Sequence, residues 1–331
     1  MIRIFRDKSP LLLALLLLLA VALQLHLFLF GSPPAVPAPA GAFSHLFFVL
    51  IARLPFPAGT TQAVAASLLL LGQAFYFNYI TGKYKLIPHS NYLPALCYLL
   101  FSAWLNTFQQ LSAGLLCNGV LLILLDQVFY VYRKEKANDT LFNIGFFMAM
   151  AYLFNQDAVV FVLFLFAGLL FVRPFYLREW LLILTGMATL LFLTGVWFFW
   201  NDRLADWLAQ IQCRLTLPFD ARGIGRTELF LKSGLAAGLI LIAVGNVYQQ
   251  FNKVVVQTRI YYSVVVWFFI AGLAVVFLHP VLTPAAFYWL ILPVSLAAAY
   301  WFSEVKRVIF AEIWFICLIL TLVFYQFFNR G

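Results

Sequence analysis

Acidic side chains are scarce in this chain of 331 residues: Asp and Glu together number 12, and none occurs between Asp7 and Asp126. A membrane enzyme that places its general base in the first outer loop is therefore missing that base. Charged residues of both signs make up 10% of the chain, against roughly 25% in soluble domains, and no stretch is long and polar enough to form a separate soluble domain. Cysteine and histidine are equally sparse, at four each. Cys97, Cys117 and Cys317 fall in apolar runs and only Cys213 in a polar one, so no structural disulfide is expected. A four-histidine iron site would need His26, His45, His89 and His279 together, and the topology read below divides them between the two sides of a membrane. No metal and no cofactor is assigned.

What the chain has in quantity is apolar surface. Hydrophobic residues reach 65%, against roughly 45–50% in soluble domains, which excludes a water-soluble core. Uncharged runs of about 20 residues recur along the length, each able to cross ~30 Å of hydrocarbon at 1.5 Å per residue. The expected fold is an all-α, polytopic transmembrane helix bundle forming a single integral membrane domain over residues 1–331. About 11 spans are read: Leu11 to Phe30, Gln62 to Ile80, Tyr92 to Phe108, Leu111 to Val131, Leu141 to Phe154, Ala158 to Val172, Trp180 to Trp200, Leu229 to Val247, Ile260 to Leu278, Pro284 to Phe302 and Ile309 to Phe327. If the short pair between Leu141 and Val172 is a re-entrant hairpin, the count is 9 and every later orientation is unchanged. Ala42 to Ala52, only 11 residues long and followed by Pro55 and Pro57, is read as interfacial. Leu11 to Phe30 exceeds the usual signal-peptide core and is read as retained, with cleavage at Ala38-Pro39-Ala40 as the alternative.

The net charge of +9 suits anionic lipid and the positive-inside rule, and no nucleic-acid partner is expected. With the N-terminus cytoplasmic, the inner loops collect Arg3, Arg6, Lys8, Lys83, Lys85, Arg133, Lys134, Lys136, Arg173, Arg178, Lys253, Arg259, Lys306 and Arg307, fourteen of the 21 basic residues. The C-terminus is then periplasmic.

The chain is organised around Asn138 to Trp200, where three apolar runs are parted only by Asn155-Gln156-Asp157 and by Arg173 to Glu179. Asn138-Asp139 and Leu141-Phe142-Asn143 open one helix, Gly145-Phe146 lies just inside it, and Arg173-Pro174-Phe175 with Arg178-Glu179-Trp180 opens another. In these motifs the chain is similar to an uncharacterised family of polytopic inner-membrane proteins from Bacteroidota, a domain of unknown function. The resemblance implies residence in the inner membrane and implies no activity.

Several residues are candidates for function. Asn201 to Glu228 is the longest polar segment and is read as outer. Asn201 and Asp202 can cap a helix in which Leu204, Trp207, Leu208, Ile211 and Leu215 recur at helical spacing, an interfacial amphipathic helix. Arg222 and Arg226 follow it, and their guanidinium forks match a lipid phosphate, with pairing to Asp220 and Glu228 as the structural alternative. Asp157 reads as a helix cap or a carboxylate for chemistry. Asp126, inside a span, is a functional-site candidate by position, and its structural role would be pairing toward Arg133 or a neighbouring span. Asn78, Asn106, Asn118, Asn143 and Asn246, with Gln73, Gln109 and Gln110, lie within or at the edges of spans and read as helix-to-helix hydrogen-bonding groups. Arg173, Arg178 and Trp180 form an inner elbow, structural first and partner-docking second.

No catalytic residue is assigned. The reading favoured by these observations is a non-enzymatic multi-pass inner-membrane component of the cell envelope, acting as scaffold, assembly factor or lipid-binding part. Its partners would be membrane lipids and another inner-membrane protein. The alternative is a polyprenyl-phosphate-sugar-dependent glycosyltransferase, which the paired short helices and outer interfacial helix resemble. Its carboxylate would come from Asp157, Asp202, Asp206, Asp220 or Glu228. A transporter ranks third, because no pair of broken helices with converging acids is evident.

Overall fold

The computed structural model describes residues 14, 16–21, 40–53, 58–88, 91–103, 111–134, 136–211, 255–278, 284–305 and 308–327. Every regular element among the described residues is helical. In chain order the helices are α1 (Ala42–Ala52), α2 (Ala58–Lys83), α3 (Leu93–Ala103), α4 (Ala113–Tyr130), α5 (Asn138–Phe154), α6 (Phe161–Val172), α7 (Leu177–Trp200), α8 (Leu204–Ile211), α9 (Val256–Leu278), α10 (Ile291–Glu304) and α11 (Val308–Phe327). Single 3-10 segments, Gln156–Val160 and Pro284–Leu290, lead into α6 and α10.

The expected count of 11 spans, or 9, is overturned. Among the described residues four helices are long and apolar enough to cross a membrane: Thr61–Lys83, Ala113–Tyr130, Leu177–Trp200 and Val256–Leu278. The other apolar runs fold differently. All 11 residues of α3 are buried, so its apolar side chains serve the protein interior rather than lipid. The two runs on either side of the expected break at Asn155 form helices of 17 and 12 residues, about 26 and 18 Å, both shorter than the hydrocarbon core. The run beginning at Pro284 starts as 3-10 helix and leaves only 14 residues for α10, about 21 Å against the ~30 Å of a hydrocarbon core. The expected spans Leu11 to Phe30 and Leu229 to Val247 lie largely and wholly, respectively, outside the described residues. At 24 residues, about 36 Å, α7 spans comfortably, and most of its length faces away from the protein.

Glycine sets the closest helix approach. Gly145 on α5 and Gly186 on α7 each press on the other helix's backbone: a Cβ at Gly145 would collide with the Ile183 carbonyl, and one at Gly186 with the Phe142 carbonyl. Small residues at such a crossing let two helices pack where lipid gives no hydrophobic drive. Farther along the same pair, Ala149 and Leu153 meet Leu190 and Phe198, so α5 and α7 run parallel, joined through the descending α6. On the other flank α6 packs against α9 through Phe161 and Phe164 on Phe268, with ring centroids 4.8 and 5.1 Å apart.

A polar clamp crosses the centre. Gln73 on α2 donates to the Leu115 carbonyl on α4 (2.7 Å), and its Oε1 accepts from the Tyr98 hydroxyl on α3 (2.7 Å). Asn118 Nδ2 donates to the same hydroxyl at 3.0 Å. Gly119 leaves room for it, since a Cβ there would lie 2.8 Å from Gln73 Nε2. Buried amides and hydroxyls that satisfy one another in this way fix which helix faces meet.

A charged, aromatic end of the bundle

The C-termini of α2, α4, α6 and α10 and the N-termini of α3, α5, α7 and α9 gather at one end. Asp126 is the acid at its centre. It sits one turn before the end of α4, its side chain 10% exposed, and faces the last turn of α2. Lys83 Nζ lies 2.8 Å from Oδ1, the Tyr84 hydroxyl donates to the same oxygen at 2.7 Å, and the Tyr76 hydroxyl donates to Oδ2 at 3.0 Å. Three donors thus satisfy one carboxylate, which makes its ionised form tolerable where an unpaired charge would not be. Burial, followed by the hydrogen bond and charge of Asp126, raises the Tyr84 phenol well above its ordinary value, so it remains a donor. Asp126 therefore pairs with a neighbouring helix rather than along its own. Arg133, a residue in the left-handed region at φ 56°, instead places its guanidinium carbon 5.3 Å from the Tyr132 ring.

Aromatic rings wrap this ion pair. Lys83 Nζ stands 4.9 Å from the Tyr84 ring centroid and 5.4 Å from that of Tyr130, and Lys134 Nζ lies 3.2 Å from the Tyr130 centroid. Tyr84 and Phe129 both pack on Tyr261 of α9, at 5.2 and 4.7 Å between centroids, and the Tyr262 hydroxyl donates to the Leu86 carbonyl. Asn91 Nδ2 reaches Ser303 Oγ at 3.3 Å, tying the start of α3 to the end of α10.

Beside the Lys83 pair lies a cavity of about 330 Å³ whose wall includes Asn78, Tyr79, Thr81, Lys83, Asn91 and Tyr92. Asn78 and Asn91 each keep a buried side-chain oxygen with no hydrogen-bond partner among the described residues. Lys83, Tyr84, Tyr76 and this cavity were not singled out from sequence as a site; the single signal for them was Asp126 itself.

The elbow between α6 and α7 stands at the same end. Arg173 Nη2 pairs with Glu179 at 2.9 Å, a partner that sequence reasoning did not assign. Trp180 stacks on Phe166 at 4.7 Å with rings nearly parallel and lies 5.5 Å from Phe175. Arg178 is exposed. The three elbow residues thus divide into two that hold the turn and one on the surface.

The remaining sequence candidates lie at the opposite end or beyond description. Asn155 caps the 3-10 segment, its Oδ1 accepting from the Asp157 amide at 3.1 Å. Asn201 closes the end of α7 by donating to the Trp197 carbonyl (2.7 Å), and Asp202 takes the left-handed turn at φ 54° that folds α8 back onto α7. Trp207 of α8 then stacks on Phe198 with centroids 6.3 Å apart. Asp220, Arg222 and Arg226 lie outside the described residues, as do His26, His89 and His279. No curated protein and no solved structure matches the chain. The model of a family of unknown function (DUF6427) matches residues 41–331, and the chain belongs to that family.

Proposed function

We propose that this membrane-embedded helical protein is a multi-pass component of the bacterial inner membrane, as its resemblance to Bacteroidota proteins suggests, and that it acts in the cell envelope as a lipid-binding scaffold with no reaction of its own. One observation carries the reading. The acid held within a membrane-crossing helix, Asp126, is engaged by Lys83, Tyr84 and Tyr76 as a structural tie, while Lys85, Lys134, Arg178 and Arg259 surround it at the same end. A neutralised acid under a basic, tyrosine-rich rim suits attachment to anionic headgroups. By the positive-inside rule this end faces the cytoplasm; the N-terminus, with Arg3, Arg6 and Lys8, is proposed to lie inside and the C-terminus outside. Arg222 and Arg226 are proposed as contacts to lipid phosphate on the outer side.

Purification in a mild detergent with native lipid and partners retained, followed by mass spectrometry of what co-elutes, tests this. Retained anionic lipid, with or without a second inner-membrane protein in fixed ratio, is expected. Co-elution of a polyprenyl-phosphate sugar that the preparation turns over would overturn the non-enzymatic reading.

A further inference from the structure

We propose that the cavity beside Lys83 is a binding site for a hydroxyl-bearing phosphate headgroup, of the phosphoglycerol type, supplied by a membrane phospholipid. This deepens the lipid-binding reading and rests on it.

The chemistry of the wall selects the ligand. Asn78 and Asn91 line the cavity, Asn91 is 4% exposed, and each keeps an unpartnered, buried side-chain oxygen. Buried acceptors without partners are rare in native proteins and ask for donors. Asn91 keeps its Nδ2 on Ser303, so its Oδ1 is left as the acceptor. Two kinds of headgroup bring donors, an ammonium and a hydroxyl. Lys83 lines the same wall; one of its three ammonium hydrogens serves Asp126, and the others can donate to a phosphate but offer nothing to a second ammonium. Hydroxyls therefore serve the amide oxygens and the phosphate faces Lys83. Tyr79 and Tyr92 supply the amphipathic rings typical of the headgroup level of a bilayer. The volume, about 330 Å³, falls in the range of roughly 300–1,000 Å³ of small-ligand pockets.

A lipid is favoured over a free polyol phosphate by place. The cavity opens at the last turn of α2, a membrane-crossing helix, where Tyr79 and Gly82 are exposed. An acyl chain has apolar helix surface to follow from there.

The test uses the full chain in nanodiscs of phosphatidylcholine doped with equal amounts of phosphatidylglycerol, phosphatidic acid or phosphatidylethanolamine, with retained lipid read by native mass spectrometry. Phosphatidylglycerol is expected to be retained about tenfold better than either of the others, the worth of two hydroxyl hydrogen bonds. Asn78→Ala with Asn91→Ala should reduce that preference to near parity. The wild-type comparison stands without the variants, should they fold poorly. Equal retention of phosphatidylglycerol and phosphatidic acid would overturn the site while leaving general anionic-lipid binding intact, and retention of no lipid would overturn the broader reading as well. Displacement of phosphatidylglycerol by millimolar glycerol phosphate would overturn the lipid as the source.

Discussion

Asp126→Ala is expected to lower stability by about 3 kcal/mol, because three donors lose one acceptor at once. Lys83, Tyr84 and Tyr76 all point at that carboxylate, and Tyr84 is buried with its ring against Phe129 and Tyr261. Lys83→Met should cost about 2 kcal/mol, less than the loss for a fully buried pair, since the Lys83 side chain is 30% exposed and water screens part of the interaction. The two changes should not add. Lys83→Met combined with Asp126→Ala removes both charges and is expected to be more stable than the sum of the single losses by about 1–2 kcal/mol. Thermal unfolding in detergent, followed for the four proteins of the cycle, measures this. Strict additivity would show that the pair is a surface contact of no structural consequence.

The second large effect lies at the α5–α7 crossing. Gly145→Val is expected to destabilise by about 3 kcal/mol and to reduce the inserted protein sharply, because its first side-chain atom already meets the Ile183 carbonyl and backbone cannot yield as a side chain can. Gly186→Val should behave alike through the Phe142 carbonyl. Gly72→Ala is the matched control. A Cβ at Gly72 meets nothing within 4 Å, and alanine is the better helix former by about 1 kcal/mol, so this variant should be neutral or slightly more stable. Abundance of the inserted protein, quantified beside the control, separates a packing collision from a general intolerance of helix substitutions. Normal abundance of Gly145→Val would mean that α5 and α7 do not cross in this way.

The helical, membrane-embedded class was legible from composition, because a chain this apolar has no water-soluble way to bury its surface. The number of crossings was not. Hydropathy reports how apolar a segment is and not what covers it: Leu93–Ala103 is as apolar as a span, yet other helices cover it. The turn at Asn155 was visible as a polar break, but the 3-10 start at Pro284 was hidden within an unbroken apolar run. At the site, Asp126 stood out because acids are few. Its partner did not, because Lys83 precedes it by 43 residues and one sequence holds no record of which helix faces meet. Pairing with a neighbouring span was one of the two structural readings, beside a reach toward Arg133; which span and which residue were not legible. Gly145 was noticed as part of a motif, and the reason for it, a backbone on the far side, belongs to α7. The elbow illustrates the same limit in miniature: Arg173, Arg178 and Trp180 were all visible, while the division between Arg173, paired with Glu179, and exposed Arg178 depends on how the turn closes.

The most direct measurement concerns α7, whose two ends bracket the claim that a basic cytoplasmic end is joined to a far side by membrane-crossing helices. Arg178 is exposed at its start and Asn201 follows its last residue. In a background of Cys213→Ser with Cys317→Ser, Arg178→Cys and Asn201→Cys are each treated in intact cells with a membrane-impermeant thiol reagent. Asn201→Cys is expected to label at once, and Arg178→Cys only after the inner membrane is opened. The reverse pattern would contradict the orientation, and equal labelling of both in intact cells would contradict the crossing itself.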